Sequence, residues 1–183
     1  TLLDTILEVH EKVASTFQKT AIYFHYEFNL RHLSNLFEGL LRSTPRHYST
    51  LSKFVRLLVH EAYRVYADRL ATIQHIETFS QLIKGITKQK FPDLDIETVF
   101  KEPLVFSYFG NDTSDDMVYD EFPSVEKYQQ VLEQALEDHN SKKAVMNLVL
   151  FEDAMAHVCR IARIIQSALG NALLVGVGGS GKQ

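Results

Sequence analysis

Glycine is distributed very unevenly along these 183 residues, and this distribution restricts the possible folds more than any other feature. The last 14 residues contain five of the eight glycines, whereas the 169 residues before them contain only Gly39, Gly85 and Gly110. Turns and unusual backbone conformations depend on glycine, so a chain with so few glycines forms mostly regular structure. We therefore expect a mainly helical chain that ends in a segment of a different kind.

Apolar residues recur at helical spacing through the first 90 positions. The pattern predicts one helix over residues 2–18 and a second that Asn29 caps and Thr44-Pro45 ends. It predicts a third helix over about 50–70 and a fourth over 73–86. The buried stripe of the second helix is predicted to be Leu30, Leu33, Leu36, Phe37 and Leu40. Four helices with short breaks between them indicate a small helical bundle.

The hydrophobic period changes after residue 100. Two β-prone runs, 104–109 and 117–122, flank an acidic segment and predict a β-hairpin. Its acidic loop, within 110–121, is expected to be a solvated tip, and a contact with a partner is the alternative. Helices are predicted over about 124–139 and 148–168. The apolar run 172–175 suits a parallel strand that is buried on both faces.

Charge divides the chain in a similar way. Residues 91–140 contain thirteen Asp and Glu against two Lys, whereas the rest carries 17 basic and 10 acidic residues. Two structural units meeting near residues 88–103 explain this asymmetry, and the alternative is one domain with an acidic side. The net charge of −4 does not favour nucleic-acid binding, and no apolar run is long enough for a membrane span.

The glycine-dense end carries a phosphate-binding pattern. Residues 176–182 read Gly-Val-Gly-Gly-Ser-Gly-Lys, which is the G-x-x-x-x-G-K spacing of a P-loop, and the predicted strand precedes it. Glycines let backbone N–H groups converge on phosphate oxygens, and the lysine supplies a positive charge to the β- and γ-phosphates. The predicted nucleotide-binding residues are Gly176, Gly178, Gly179, Ser180, Gly181, Lys182 and Gln183.

Position 183 departs from the usual P-loop, where a Ser or Thr hydroxyl binds Mg²⁺. Gln183 has no hydroxyl, so nucleotide binding and hydrolysis are separate questions here. A glycine-rich turn that binds nothing is the alternative to a P-loop. We expect the helix and the Asp-Glu strand of an ATPase core to lie beyond residue 183 in a longer protein. The 183 residues alone are therefore expected to be catalytically inactive.

The sequence predicts no metal site. His60-Glu61 lies on a predicted helix, as in zinc proteases, but Arg64 stands where the second histidine would be required. Glu61, Arg64 and Asp68 share one helix face, which favours a salt-bridge ladder. Cys159 is the single cysteine and is expected to be a small buried residue.

Three stretches together resemble the dynein heavy chains, and in particular the axonemal class. They are residues 25–35 (HYEFNLRHLSN), residues 60–70 (HEAYRVYADRL) and residues 147–161 (NLVLFEDAMAHVCRI), which lead into 170–183. The P-loop alone is generic, whereas this succession is specific, and it covers nearly the whole chain. Within this class, the wording of these stretches resembles the outer-arm β-like chains. In this class a glutamine usually follows the P-loop lysine, so Gln183 is expected as a family trait.

The resemblance implies that residues 1–95 are the helical small subdomain, or lid, of the third AAA+ module. Residues 96–183 would then begin the fourth module and end in its P-loop. The implied fold is mainly α: a helical lid bundle, a β-hairpin, further helices and the first strand of a P-loop α/β core. Arg31 matches the family's sensor-2-like residue, which faces nucleotide phosphates, and pairing with Glu27 or Glu38 is the alternative.

Val149 and Leu150 precede the P-loop by roughly the distance of adenine-lining residues in AAA+ modules. The resemblance therefore makes them candidates for an adenine pocket, and core packing is the alternative.

For the full-length protein, the resemblance implies an ATP-hydrolysing, minus-end-directed microtubule motor of the cytoplasm and cytoskeleton, in the axoneme of cilia or flagella. The implied cofactors are ATP/ADP and Mg²⁺. The implied partners are neighbouring AAA+ modules, microtubules and dynein intermediate and light chains, with no nucleic acid and no membrane. The residues alone also allow a function of a different class. In this alternative, the chain is a helical regulatory or interaction domain next to the P-loop domain of a signalling NTPase.

Overall fold

The computed structural model describes residues 1–109, 118–167 and 170–176. Its helices are α1 Leu2–Thr16, α2 Leu30–Leu40, α3 Leu51–Val65, α4 Ile73–Lys90, α5 Ile96–Val99, α6 Val125–Lys142 and α7 Glu152–Ile165. A 3₁₀ turn, Ala67–Arg69, follows α3. Strands β1 Phe106–Ser107 and β2 Asp120–Glu121 form one antiparallel pair. The predicted fold class, mainly α with a small hairpin, is confirmed.

The chain divides into two compact units. Unit 1 comprises Thr1–Glu121 and unit 2 comprises Phe122–Gln183. The acidic strand β2 therefore packs with the helices of unit 1. Residues 110–117, between the strands, lie outside the described residues, so the predicted acidic loop is described only over 118–121.

Short polar side chains cap most of the longer helices. Asn29 caps α2, Thr50 caps α3, Thr72 caps α4 and Ser124 caps α6, and each side chain accepts a hydrogen bond from a backbone N–H in the first turn. Such caps satisfy N–H groups that have no partner within the helix. They explain why the helix starts predicted from the sequence agree with the structure in unit 1.

Aliphatic and aromatic side chains from α1 to α4 and from the turn after α3 form the core of unit 1. Its fully buried members include Val13, Val55, Leu57, Tyr66 and Phe79. Burial of an aliphatic side chain contributes about 1.5–3 kcal/mol, and the aromatic residues bury still larger areas. The core thereby fixes α3 as the central helix against which the hairpin packs.

Unit 2 has a smaller core around α6 and α7. The Tyr128 hydroxyl donates to the backbone carbonyl of Met155, and the Phe122 and Tyr128 rings lie 4.8 Å apart. Cys159 is buried, as the sequence predicts. After α6, the Asn140 side chain holds both the N–H and the carbonyl of Met146, at 2.8 and 3.1 Å.

Three predicted details are wrong. Leu30 is 76% exposed, whereas His32 in the same turn of α2 is buried, so the buried face of this helix begins at His32 and not at Leu30. Helix α7 begins at Glu152 and not near 148, since Leu148 and Phe151 are exposed and offer no apolar face to continue the helix. The run 172–175 forms neither helix nor strand, and Leu173, Leu174 and Val175 are exposed. A parallel strand is buried only when neighbouring strands flank it.

Candidate functional site

The start of α2 presents Arg31 to solvent. The Asn29 side chain accepts from the Arg31 backbone N–H at 3.0 Å, and the Asn29 N–H donates to His32 Nδ1 at 3.2 Å. These bonds fix the helix start and with it the position of Arg31. Within the described residues Arg31 forms an ion pair with neither Glu27 nor Glu38, and the Glu27 carboxylate lies 3.7 Å from Lys19 Nζ.

A second arginine lies near the same helix start. This arginine is Arg69, which lies in the 3₁₀ turn immediately after Tyr66. The Phe28 ring connects this turn to the start of α2, because its centre lies 5.8 Å from that of the Tyr66 ring and 5.6 Å from that of the His32 ring. Burial lowers the pKa of His32, and the positive charge of Arg69 lowers it further. His32 is therefore neutral near pH 7, so its Nδ1 can accept from Asn29. Together the two arginines make this end of unit 1 suitable for an anion.

Helix α3 anchors the segment that enters the hairpin. Arg56 is 11% exposed, and its guanidinium donates from Nε to Glu121 Oε2 at 2.8 Å. Two further donations, each 3.0 Å long, reach the carbonyls of Val99 and Lys101, and the same guanidinium also contacts the Thr98 carbonyl. An arginine fork is suited to such multiple contacts because its five donors lie in one rigid plane.

The anchoring continues along the same face of α3. Lys53 Nζ lies 2.7 Å from Asp120 Oδ2, and both side chains are partly buried. The Tyr48 hydroxyl donates to the Tyr119 carbonyl at 2.5 Å. Burial, with the negative charge of Asp120 as the second cause, raises the pKa of Tyr48, so its hydroxyl stays protonated and can donate. Strand β2 is therefore held by ion pairs and hydrogen bonds and not by apolar contact alone.

Most of the predicted P-loop lies outside the described residues. Gly176 is the described member, and it is exposed, whereas 177–183 are not described. Val149 is 81% exposed and Leu150 is half-buried, so core packing within this chain does not account for Val149. Arg31 belongs to unit 1, and the P-loop and the two candidate adenine residues belong to unit 2.

The other sequence predictions have mixed outcomes. Arg64 pairs with Asp68 at 3.3 Å, as the ladder predicts, but Glu61 is fully buried and accepts a hydrogen bond from Tyr119. Among the described residues, no group of three or more His, Cys, Asp or Glu is arranged to hold a metal ion. No helix in the described part of the chain is long and apolar enough to span a bilayer.

Two family models match this chain in succession. The AAA+ lid domain matches residues 2–101, which is more than half of the chain. The P-loop containing dynein motor region D4 matches residues 146–183. The chain belongs to the AAA+ family of dynein heavy chains. The order of the two matches, lid first and motor-region P-loop second, agrees with the resemblance that the sequence motifs carry.

Named relatives that match along the whole chain support the same assignment. The chain is 46% identical to "Dynein alpha chain, flagellar outer arm" of Chlamydomonas reinhardtii and 48% identical to "Dynein beta chain, ciliary" of Tripneustes gratilla. It is 47% identical to "Dynein axonemal heavy chain 17" of Homo sapiens. Each match covers 100% of this chain and 4% of the relative. These matches decide against the alternative of a signalling NTPase.

The contacts that join α3 to the hairpin were not predicted from the sequence. Lys53, Arg56 and His60 are spaced at i, i+3 and i+7, which places three potential cations on one helix face. The acidic pair at 120–121 is their complement, and this pairing is the signal that could have revealed the contacts. Asp120 and Glu121 pair with α3 although they lie in a stretch that was predicted to be a solvated tip or a partner contact.

Proposed function

We propose that this chain is part of the motor ring of an axonemal dynein heavy chain, which couples ATP binding and hydrolysis to minus-end-directed movement on microtubules. The observation that carries the proposal is the succession of an AAA+ lid and a dynein D4 P-loop region in one chain. Identities of 46–48% to flagellar and ciliary chains over the whole segment support the axonemal class. The corresponding location is the axoneme of a cilium or flagellum.

The proposed boundary between two AAA+ modules lies at residue 95. Residues 1–95 would be the lid of the third module and residues 96–183 the start of the fourth. The lid match supports this division because it extends only to residue 101. Segment 98–101 and strand β2, which would belong to the fourth module, both contact Arg56 on α3. In this arrangement the lid of one module holds the opening segment of the next.

The P-loop would hold the phosphates of ATP or ADP for the fourth module. Its glycines and Ser180 would direct backbone N–H groups to the phosphates, and Lys182 would supply the charge. Mg²⁺, when bound, neutralises charge on the β- and γ-phosphates. Gln183 offers no hydroxyl to that ion, so the residues of this chain fit the phosphates better than the metal. Val149 and Leu150 remain the proposed adenine contacts.

Arg31 would contact the nucleotide of the third module from the lid. Its exposure, its fixed place in the first turn of α2 and the absence of an ion pair with Glu27 or Glu38 in the described residues support this role. A cation at a helix N-terminus is disfavoured by the helix dipole, and an external anion would compensate. The guanidinium would bridge two phosphate oxygens and draw the lid onto the core.

The experiment compares Arg31→Ala with Arg46→Ala in the full-length heavy chain that carries this segment. Arg46 is also exposed and has no ion pair in the described residues, so it controls for the loss of a surface charge. We expect Arg31→Ala to weaken nucleotide binding at the third module by about tenfold or more, since a charge-assisted bond contributes about 1.5–3 kcal/mol. Equal nucleotide affinities in the two variants would contradict the role of Arg31.

The proposed partners follow from the same assignment. They are the neighbouring AAA+ modules of the same chain, microtubules, and the dynein intermediate and light chains of the full-length protein. The proposal includes neither a nucleic-acid nor a membrane partner.

A further inference from the structure

A chain of polar side chains is buried between α3 and the hairpin. His60 is 4% exposed, Glu61 0% and Tyr119 1%. His60 Nδ1 lies 3.0 Å from the Leu104 carbonyl oxygen, and His60 Nε2 lies 3.1 Å from the Tyr119 hydroxyl. The same hydroxyl lies 2.9 Å from Glu61 Oε1. These three side chains, called the triad below, all belong to unit 1.

The three contacts require three hydrogen atoms. A carbonyl oxygen can only accept, so His60 Nδ1 must carry a proton. The single hydroxyl proton of Tyr119 can point to Glu61, in which case His60 Nε2 must also be protonated. It can instead point to His60, in which case the Glu61 carboxyl must be protonated. A neutral imidazole, a phenol and a carboxylate together supply only two hydrogens for these three bonds.

We infer that His60 and Glu61 are positioning residues that hold Tyr119 through one additional shared proton. Packing of the hairpin against α3 during folding therefore takes up one proton from solution at neutral pH. With this proton the buried triad has no net charge, which is the state that a low-dielectric interior favours. The inference concerns this segment alone and does not depend on the proposed motor function.

The space around Glu61 is shaped for its carboxylate. A Cβ at position 39 would overlap Glu61 Oε2, so the backbone of α2 lies directly against that oxygen. Glycine at 39 is therefore what allows α2 to close over the triad. A fully buried carboxyl group needs such fitted hydrogen-bonding surroundings, because an unsatisfied buried charge is strongly destabilising.

Other charged and titratable groups face the triad from several elements. The Arg42 guanidinium lies 5.2 Å from the centre of the Tyr119 ring and 5.8 Å from that of Tyr108. Tyr48 donates to the Tyr119 carbonyl from the loop before α3. Arg42 is positively charged, and its place over the Tyr119 ring does not change the count of three hydrogens.

Among the described residues, further charged groups on α3, on the turn after it and on β2 form ion pairs. Asp120 and Glu121 of β2 form ion pairs with Lys53 and Arg56 of α3. On α3 itself, one turn beyond the triad, Arg64 pairs with Asp68. These pairs do not alter the hydrogen count within the triad.

The sign of the expected pH dependence follows from the proton count. In the unfolded chain above about pH 6.5 the imidazole is neutral and the carboxyl is ionised, so unfolding releases the additional proton. As long as the folded triad keeps its added proton, it makes the unfolding equilibrium constant rise about tenfold per pH unit above about pH 6.5. Between about pH 4.5 and 6.5 the unfolded histidine also carries its proton, and this contribution vanishes.

The experiment measures urea unfolding of the 183-residue chain from about pH 5.5 to 8.5 for the wild type and for Glu61→Gln. The Gln amide can donate to the Tyr119 oxygen, so the Tyr119 hydroxyl can donate to a neutral His60, and the three bonds form without an added proton. We expect the unfolding constant of the wild type, divided by that of the variant, to rise about tenfold between pH 7 and 8. Other groups whose titration differs between the folded and unfolded states contribute equally to both proteins and cancel in this ratio.

Glu38→Gln is the matched control, because Glu38 is exposed on α2. Its unfolding constant should follow that of the wild type with a pH-independent ratio. A pH-independent ratio for Glu61→Gln as well would overturn the inference. If Glu61→Gln fails to fold, nuclear magnetic resonance of the wild type decides: at pH 7, ¹⁵N shifts of the His60 ring and the ¹³C shift of the Glu61 carboxyl should show one of the two groups protonated. A neutral imidazole together with an ionised carboxyl would likewise overturn it.

Discussion

A side chain at position 39 would collide with the carboxylate of Glu61, whereas a methyl group at position 85, on the exposed side of α4, would meet no atom within 4 Å. We expect Gly39→Ala to destabilise the chain by about 1–3 kcal/mol, because overpacking forces the buried carboxylate to move. Gly85→Ala should stabilise it by about 0.5–1 kcal/mol, because alanine has the higher helix propensity. Urea unfolding of both variants at one pH measures the change in the free energy of unfolding for each. If both substitutions stabilise the chain, or both destabilise it, this account is contradicted.

The capping bond between Asn29 and His32 makes the start of α2 sensitive to pH. Because burial lowers the pKa of His32, the unfolded chain binds more protons than the folded chain just below about pH 6.5. His32 thus contributes stability that is present above about pH 6.5 and is lost as pH falls. His32→Gln retains an acceptor for Asn29 without titrating. We expect the melting temperature of the wild type minus that of His32→Gln to increase between pH 5 and pH 7.5. If this difference does not change with pH, His32 is not the source of the pH dependence.

Single residues were predicted with uneven success, for physical reasons. The Asn29 cap and its helix start follow from local chemistry, which the sequence contains. The exposure of Leu30 and the burial of Glu61 depend on which elements pack nearby, and Tyr119, the partner of Glu61, lies 58 residues further along the chain. Local periodicity cannot reveal such a partner.

At the scale of elements, Arg56 joins α3 to the segment that leads into the hairpin and to strand β2. We expect Arg56→Met to destabilise the 183-residue chain by about 2–4 kcal/mol, because it leaves Glu121 partly buried without its cation. The matched control is Lys19→Ala at the pair with Glu27, whose side chains are 60% and 68% exposed. That substitution should change stability by no more than about 0.5 kcal/mol.

A double-mutant cycle with Glu121→Gln separates the ion pair from the backbone contacts of Arg56. If the pair contributes directly, the combined change should fall short of the sum of the single changes by about 1–3 kcal/mol. Additive changes would show that the bonds to the Val99 and Lys101 carbonyls carry the effect of Arg56.

The elements themselves could largely be predicted from the sequence. Helices α1 to α4 have apolar periodicity together with capping residues, and both signals are local. The strand expected at 172–175 and the early start of α7 were wrong because both inferences assumed an apolar environment. The exposure of Leu173 and Val175 shows that the described residues do not supply it.

At the scale of the whole molecule, the 183 residues should bind and hydrolyse ATP poorly on their own. The P-loop of an NTPase acts with a metal-holding acid and a water-positioning residue on later strands of its core, and these 183 residues contain no strand after the P-loop. We expect ATP turnover of the purified chain to stay at background and Lys182→Ala to leave it unchanged. Turnover that this substitution abolishes would contradict the expectation.

The succession of lid and P-loop could be predicted from the sequence because motifs are contiguous in the chain. The phosphate site itself could not be placed, because a nucleotide-binding core is assembled from several strands that meet at one sheet edge. The chain spans about 4% of the length of the curated relatives it matches, so the ring and its movement are proposals about the full-length protein.

Gliding of polarity-marked microtubules on the surface-bound full-length heavy chain tests the central proposal most directly. A minus-end-directed motor that is fixed to a surface moves each microtubule with its plus end leading, and the movement requires ATP. We expect this direction for the wild type and slower gliding for Arg31→Ala, with Arg46→Ala matching the wild type. ATP-independent attachment, minus-end-leading movement, or no gliding by a folded wild-type protein would contradict the account.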